Sequence, residues 1–265
     1  MTKLPFDPEH IKSRIEFDML SNGRFLKKVV LVEGPSDQQF YGKMFANTVH
    51  SRSMYSRDTV VTVCRLLREA DFPCYGIVDL DYYWFHSEQN PEPENVLVLD
   101  ENNLESFVLF DAQTHESWNH SGAPGTLSDI IECARLLGVF RCINYIHDKK
   151  WRFKPDCGGH NPTFHLRLEI RRMYARNDTC SPATLLNDLL GLYDYSESEF
   201  RVKEKEILNA PNYALSRLIN GKDLNTFLSL SNMPNVYQKA ADGFDLEQFR
   251  NTNLGKKLQP LGVLG

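Results

Sequence analysis

Four acids within the first 81 residues have the types and spacing of a cation site. In VVLVEGPSDQQFY, residues 29–41, an apolar run stops on Glu33, turns through Gly34-Pro35, and is followed by Asp37 on the next element. In CYGIVDLD, residues 74–81, a second apolar run stops on Asp79 and Asp81. A hydrophobic core has no use for carboxylates at such points. Brought together and empty they would repel, because like charges a few Å apart cannot all stay ionised. A divalent cation removes the conflict. The donors are all hard oxygens with no His or Cys interleaved, which favours Mg²⁺ or Mn²⁺ over Zn²⁺. Two such ions about 4 Å apart would clamp the attacking and leaving oxygens of a phosphodiester. The chemistry implied is metal-dependent phosphoryl transfer.

The elements that must position these acids can be read around them. Residues 27–32 form a run of Val and Leu without alternation, the pattern of a strand covered on both faces in a parallel sheet. Pro35 suits the first turn of a helix reaching to about residue 47. Residues 59–70 read as a helix, 74–81 as a second buried strand and 95–100 as a third, with a short helix at 8–20. Ligands of open α/β sheets bind beyond the carboxyl ends of the strands, where Glu33 and the Asp79-Leu80-Asp81 group fall. Side chains two apart on a strand share a face, so Asp79 and Asp81 project together while Leu80 faces away.

After about residue 125 the texture becomes helical, with helical spacing at 127–137, 164–176, 182–193, 197–208, 213–219 and 224–230; only 139–146 looks extended. The expected organisation is an α/β domain over 1–125 and a mostly helical region over 126–265, divided near SGAPG at 121–125.

With 265 residues and 42% apolar content the chain can bury a substantial core, and its net charge of −5 excludes a globally basic nucleic-acid binder. The charge is nevertheless segregated. Residues 141–176 carry +6 and the remainder −11. Lys149, Lys150, Arg152, Lys154, Arg167, Arg171, Arg172 and Arg176 lie there among Tyr145, Trp151, Phe153, Phe164 and Tyr174, a mixture suited to tracking phosphates while stacking bases. An ordinary amphipathic helix with core aromatics reads equally well. Six scattered cysteines suit reduced thiols, and no signal peptide or membrane span is legible, so a cytoplasmic protein is expected. Cys157, His160 and His165 lack a second ligand pair and read as a loop rather than a zinc site. There is no GxxxxGK[ST] phosphate loop and no constellation for a Ser or Cys nucleophile.

VLVEGPSDQQFY followed by GIVDLDYY resembles the TOPRIM signature, a glutamate ending the first strand and a later strand ending in Asp-x-Asp. The VEGxxD spacing is similar to the stand-alone TOPRIM nucleases of the overcoming-lysogenization-defect type. ENNLESFVL, residues 101–109, resembles their next acidic motif, with Glu105 in the motif position. LINGKDL, residues 218–224, resembles their late Gly-Lys motif, with Lys222 in place of the catalytic lysine. The resemblance implies a Rossmann-like TOPRIM sheet in which Glu33, Asp37 and Asp79 hold one metal ion and Asp81 and Glu105 help hold a second. Lys222 would neutralise developing charge. Read alone, Glu105 is equally a surface acid of an amphipathic helix, and Lys222 equally a solvated lysine after a glycine helix cap.

Topoisomerases need a tyrosine-bearing DNA gate and primases a zinc ribbon, and neither is legible here. The resemblance therefore implies the nuclease effector of a two-component anti-phage system of the phage anti-restriction-induced kind. Its partners would be a separate ABC-type ATPase, a nucleic-acid substrate (tRNA favoured, DNA possible) and a second copy of the chain, with no membrane. The competing class is a non-catalytic TOPRIM scaffold of the recombination-mediator sort.

Overall fold

Strand β1, Lys28–Val32, is the element around which the sheet forms, and the side chains of Val29 to Val32 are fully buried. The computed structural model describes residues 7–21, 27–85, 92–111, 114, 126–147, 181–231, 233 and 235–265. Among them β1 joins β2 (Val49–Ser53), β3 (Cys74–Val78) and β4 (Val96–Val98) in an all-parallel sheet of order β2-β1-β3-β4. Burial of β1 on both faces explains the lack of alternation in KVVLV. Helices α1 (Pro8–Ser21) and α3 (Arg57–Glu69) pack their apolar faces on the sheet, where Ile11, Ile15, Val60, Val63 and Leu67 meet Val29, Leu31 and Val78. Helix α2 (Pro35–Gly42) starts at Pro35 as expected but ends well short of residue 47.

Strand β2 was not legible in the sequence. Its residues VHSRS are only partly buried, because it is the edge of the sheet and offers neither an apolar run nor alternation. Its outer backbone is held by a side chain: Gln38 of α2 donates to the Ser51 carbonyl (2.8 Å) and accepts from the Ser53 amide (3.2 Å). This amide strap satisfies edge groups that would otherwise seek another strand, and it ties α2 to the sheet.

The chain divides into two units, Met1–Leu80, Gln89–Asp100 and Asp242–Gly265 in the first, Asp81–Glu88 and Glu101–Ala241 in the second. This differs from a single boundary near residue 125, because the end of the chain belongs to the first unit. There α11 (Leu246–Asn251) and α12 (Asn253–Leu258) follow Phe244, and Phe244 and Phe249 set their rings edge-on against Phe40. The second unit contains α4 (Leu104–Leu109), α5 (Thr126–Ile146), α6 (Pro182–Leu192), α7 (Glu197–Leu208), α8 (Leu215–Leu218) and α9 (Gly221–Leu230), with α10 (Val236–Gly243) at its end. Residues 139–146, expected to be extended, are the second half of α5. Val139, Phe140, Cys142 and Ile143 are all fully buried, so this stretch is apolar around much of its circumference and carries no helical stripe to read. The expected helix at 164–176 and the 121–125 boundary lie outside the described residues. Among the described residues no helix is long and apolar enough to cross a membrane.

His50 on β2 titrates below its ordinary value, chiefly through burial, with Asp18 opposing the shift. The unfolded chain therefore binds the proton first, so the neutral form's contribution is complete above the ordinary value of 6.5 and is lost as pH falls below it. His50→Gln should accordingly lose less Tm than the parent between about pH 7.5 and about pH 5.5, measured by thermal melts.

Candidate active site

In the first unit, three of the expected acids stand just past strand ends or in the first turn of the helix that follows, at the carboxyl edge of the sheet. Glu33 follows the last residue of β1 and Asp79 the last residue of β3, and the two strands are direct neighbours with Val32 opposite Ile77. The Glu33 carboxylate accepts from the Asp79 amide at 2.9 Å, which binds the two strand ends together beyond the sheet ladder. Asp37 stands in the first turn of α2, where its carboxylate accepts the Gly34 amide at 2.6 Å and caps the helix. An acid there also opposes the positive end of the helix dipole.

Each of these positions is set by local physics. A strand buried on both faces tolerates a carboxylate only where it ends, and Gly34-Pro35 turns the chain so that α2 starts at once. A residue that sequence reasoning missed holds the other side of Asp79. Arg57, at the start of α3, donates to the Asp79 carbonyl and, through Nε and Nη2, to Glu92 Oε1 at 3.0 and 2.7 Å. Arginine and glutamate side chains here are each only 10% exposed, so the pair is a buried, hydrogen-bonded clamp on the end of β3. Nothing local to Arg57 marks it, because its partners are 22 and 35 residues away.

In the second unit the structure joins two segments that the sequence could only match one at a time. Asn103 caps α4 by accepting from the Ser106 amide (3.0 Å), and the same oxygen accepts from the Gly221 amide (3.2 Å). Ser106 Oγ donates to the Ile219 carbonyl (2.6 Å). Asn102 donates to the Asp81 and Arg217 carbonyls, both at 3.1 Å, while its own carbonyl accepts the Asp81 amide at 2.8 Å. Asn220 reaches Asn102 Oδ1 at 3.3 Å and caps α9 through the Lys222 amide. These asparagines clasp the Glu101–Ser106 segment to the Leu218–Asp223 segment, and Lys222 Nζ comes to 3.7 Å from Glu105. The cap before an apolar helix was a readable signal for Asn103. Its second bond, to Gly221, was not.

Gly221 is there because of a close approach. A Cβ at this position would fall against the Ser106 amide and the Glu105 backbone. Gly138 of α5 does the same against the Leu218 carbonyl. Beside this contact Asp223, 2% exposed, takes a bidentate pair from Arg141 at 2.6 and 2.9 Å. Arg141 was counted in the basic segment, but it is an internal partner of Asp223. Its fork geometry matches the carboxylate and ties α5 to the first turn of α9.

Two expectations need correction. β3 ends at Val78, so Asp79 and Asp81 lie past the strand and the two-residue alternation does not apply to them. Asp81 has φ +49, a left-handed conformation that aspartate tolerates, held on both its amide and its carbonyl by Asn102. The expected convergence of four carboxylates is also absent in that form: among the described residues no three His, Cys, Asp or Glu side chains are grouped to hold a metal ion. Glu33 and Asp37 each give one carboxylate oxygen to a backbone amide, that of Asp79 and that of Gly34. Their donor type, hard carboxylate oxygen, still matches Mg²⁺ or Mn²⁺.

Glu105 is buried at 8% exposure, unlike a surface acid, whereas Lys222 is solvated as its alternative reading has it, though Gly221 before it opens α9 and does not cap the end of a helix. Lys149, Lys150, Arg152, Lys154, Arg167, Arg171, Arg172 and Arg176, and the Cys157, His160 and His165 group, lie outside the described residues. Buried thiols supply no nucleophile: burial pushes Cys142 up to about 12, and a hydrogen bond with Cys74, aided by burial, raises Cys64 well above its usual value. Comparison with protein-family models, with curated proteins and with solved structures found no match to this chain.

Gly221→Ala should destabilise the protein by about 1–3 kcal/mol in chemical denaturation, because the new methyl must push the two segments apart. Asn103→Ala should cost a similar amount, about 1–3 kcal/mol, by leaving the Gly221 amide buried without its acceptor.

Proposed function

We propose that this chain is a metal-dependent phosphodiesterase, a nuclease of the TOPRIM type, with its reacting centre at the carboxyl edge of the parallel sheet. The observation that carries the reading is the meeting of Glu33 and Asp79 at the ends of adjacent parallel strands, with Asp37 one helical turn beyond Glu33. Carboxyl edges of open α/β sheets are where such folds take ligands. Glu33, Asp37 and Asp79 are the residues that would hold Mg²⁺ or Mn²⁺. Such an ion supplies Lewis-acid stabilisation of a phosphoryl oxygen and a nucleophile active at neutral pH. Arg57 and Glu92 keep the end of β3 in place while Glu33 bridges to it. The clasp that brings Lys222 to Glu105 supports the likeness of the 101–109 and 218–224 segments to the later TOPRIM motifs. Asp81 and Glu105 are the further acids that this likeness implies. A role as a toxic effector beside an ABC-type ATPase, acting on tRNA or DNA, rests on the resemblance alone.

A second reading has an observation of its own. The amide bonds of Glu33 and Asp37 suit a scaffold in which the acids serve the fold and the protein binds without cutting.

Incubating the protein with labelled tRNA and with plasmid DNA, in Mg²⁺, Mn²⁺ or EDTA, separates the two. The nuclease reading expects cutting that EDTA abolishes and that Glu33→Ala and Asp79→Ala each reduce on the order of 10²–10³-fold, the scale of losing one preorganised charge-stabilising group. Undiminished cutting by both variants would remove the acids from the chemistry. Binding without cutting under every condition would favour the scaffold.

A further inference from the structure

Two of the buried thiols of the first unit lie against each other. Cys64 of α3 and Cys74, the first residue of β3, bring their sulfur atoms to 3.5 Å. They stand at the amino edge of the sheet, away from the candidate reacting centre. Side chains from elsewhere in the unit build this approach. Asn95, itself buried, donates its side-chain nitrogen to both cysteine carbonyls, at 3.3 Å for Cys64 and 3.0 Å for Cys74, so one amide fixes both backbones. Alternation sets Cys74 and Gly76 on one face of β3, and a Cβ at Gly76 would stand 3.1 Å from the Cys64 sulfur. The missing side chain lets the helix close on the strand where the sulfurs meet. Access to the two differs. Cys64 is fully buried, whereas Cys74 lines an open cavity of about 300 Å³ with Phe72, Tyr75 and the Arg68 and Glu94 ion pair. A reagent as small as peroxide meets Cys74 first. The pair also ends a splint: Arg57 stands seven residues before Cys64, two turns along the same face of α3, and donates to the Asp79 carbonyl past the other end of β3.

We propose that Cys64 and Cys74 form a redox-convertible dithiol that a peroxide oxidises to a disulfide, pinning α3 to β3. This site goes beyond the phosphodiesterase reading and does not depend on it. The Cys74 sulfur, its proton lost to solvent, attacks one peroxide oxygen. The O–O bond breaks, the leaving oxygen takes up a proton as water, and Cys74 becomes a sulfenic acid, which condenses readily with a neighbouring thiol. The Cys64 sulfur then attacks the Cys74 sulfur, the S–O bond breaks, and the Cys64 proton leaves with that oxygen as the second water. Two thiols lose two electrons and two protons in all, and one peroxide becomes two waters. The sulfurs close from 3.5 Å to about 2.05 Å, a movement on the scale of side-chain rotation.

The test treats the folded chain with hydrogen peroxide, alkylates the remaining thiols and maps the cysteines by mass after trypsin. Trypsin cuts at Arg65 and Arg68, between the two cysteines, so the disulfide joins two otherwise separate peptides. That linked pair should be the main oxidation product, while Cys133 and Cys142, fully buried on α5, stay reduced as internal controls. The oxidised protein should melt roughly 4–10 °C higher, the scale for closing a loop of about ten residues in a chain of this size, and dithiothreitol should remove the gain. Cys64→Ala and Cys74→Ala should each lose the peroxide-dependent rise. Because the peptide map is read on the parent chain, it decides the matter even where an alanine variant fails to fold. The proposal is overturned if the linked peptides form only after unfolding in urea, or if peroxide carries Cys74 to the sulfinic acid with Cys64 still alkylated. A linked product with Tm unchanged or lowered would overturn the pinning of α3 on β3.

Discussion

A parallel strand buried on both faces has no place for a charge except at its end, and that constraint organises the first unit. β1 carries four fully buried residues in succession, and the first carboxylate after them is Glu33. β3 repeats the arrangement with Asp79. Parallel pairing sets both ends on the same edge, and the bond from the Asp79 amide to Glu33 then holds charges and strands together. An antiparallel pairing would have sent the two acids to opposite ends of the sheet. The clamp of Arg57 on the Asp79 carbonyl, the strap of Gln38 on β2 and the cap of Asp37 on α2 all act on this one edge.

The second unit solves a different problem, joining segments more than a hundred residues apart in the chain. It does so with polar side chains that bind backbone groups across the two segments. Asn102, Asn103 and Ser106 bind the backbone of the 216–221 stretch, and the absence of a side chain at Gly221 lets the two backbones meet. Buried polar networks of this kind cost desolvation and return little net stability, but they discriminate sharply against shifted registers, because a one-residue slip leaves buried groups unpaired. The Arg141 pair with Asp223 works in the same manner on the neighbouring contact. Its value lies in specifying how α5 meets α9 more than in binding energy.

The candidate chemistry and the fold compete for the same atoms. Glu33 and Asp37 each give an oxygen to a backbone amide, and a carboxylate has a second oxygen with which to serve a cation. A residue placed by such a bond is held at a defined orientation before any ligand arrives, which is the condition for preorganised electrostatic stabilisation. The same bonds describe a structural acid in a scaffold. Only the response to metal and to substitution separates these uses of one geometry.

The sequence by itself determined the parallel α/β character, the strand end at Glu33, and most helices after residue 180, because buried runs, helical spacing and caps are local properties, whereas the second strand, read through Asp81, stops at Val78. Residues 197–208 were read to the residue, with Ser196 and Glu199 forming the capping box. The edge strand β2 escaped because edge strands need no apolar pattern, and the second half of α5 escaped because burial all round erases the helical stripe. Tertiary structure alone decided that Arg57 would hold Asp79, that Arg141 would turn inward to Asp223, and that Lys222 would reach Glu105. Each of those outcomes depends on contacts between residues far apart in the chain, where a side chain's partner is chosen by the packing of whole elements and leaves no mark on the residues beside it.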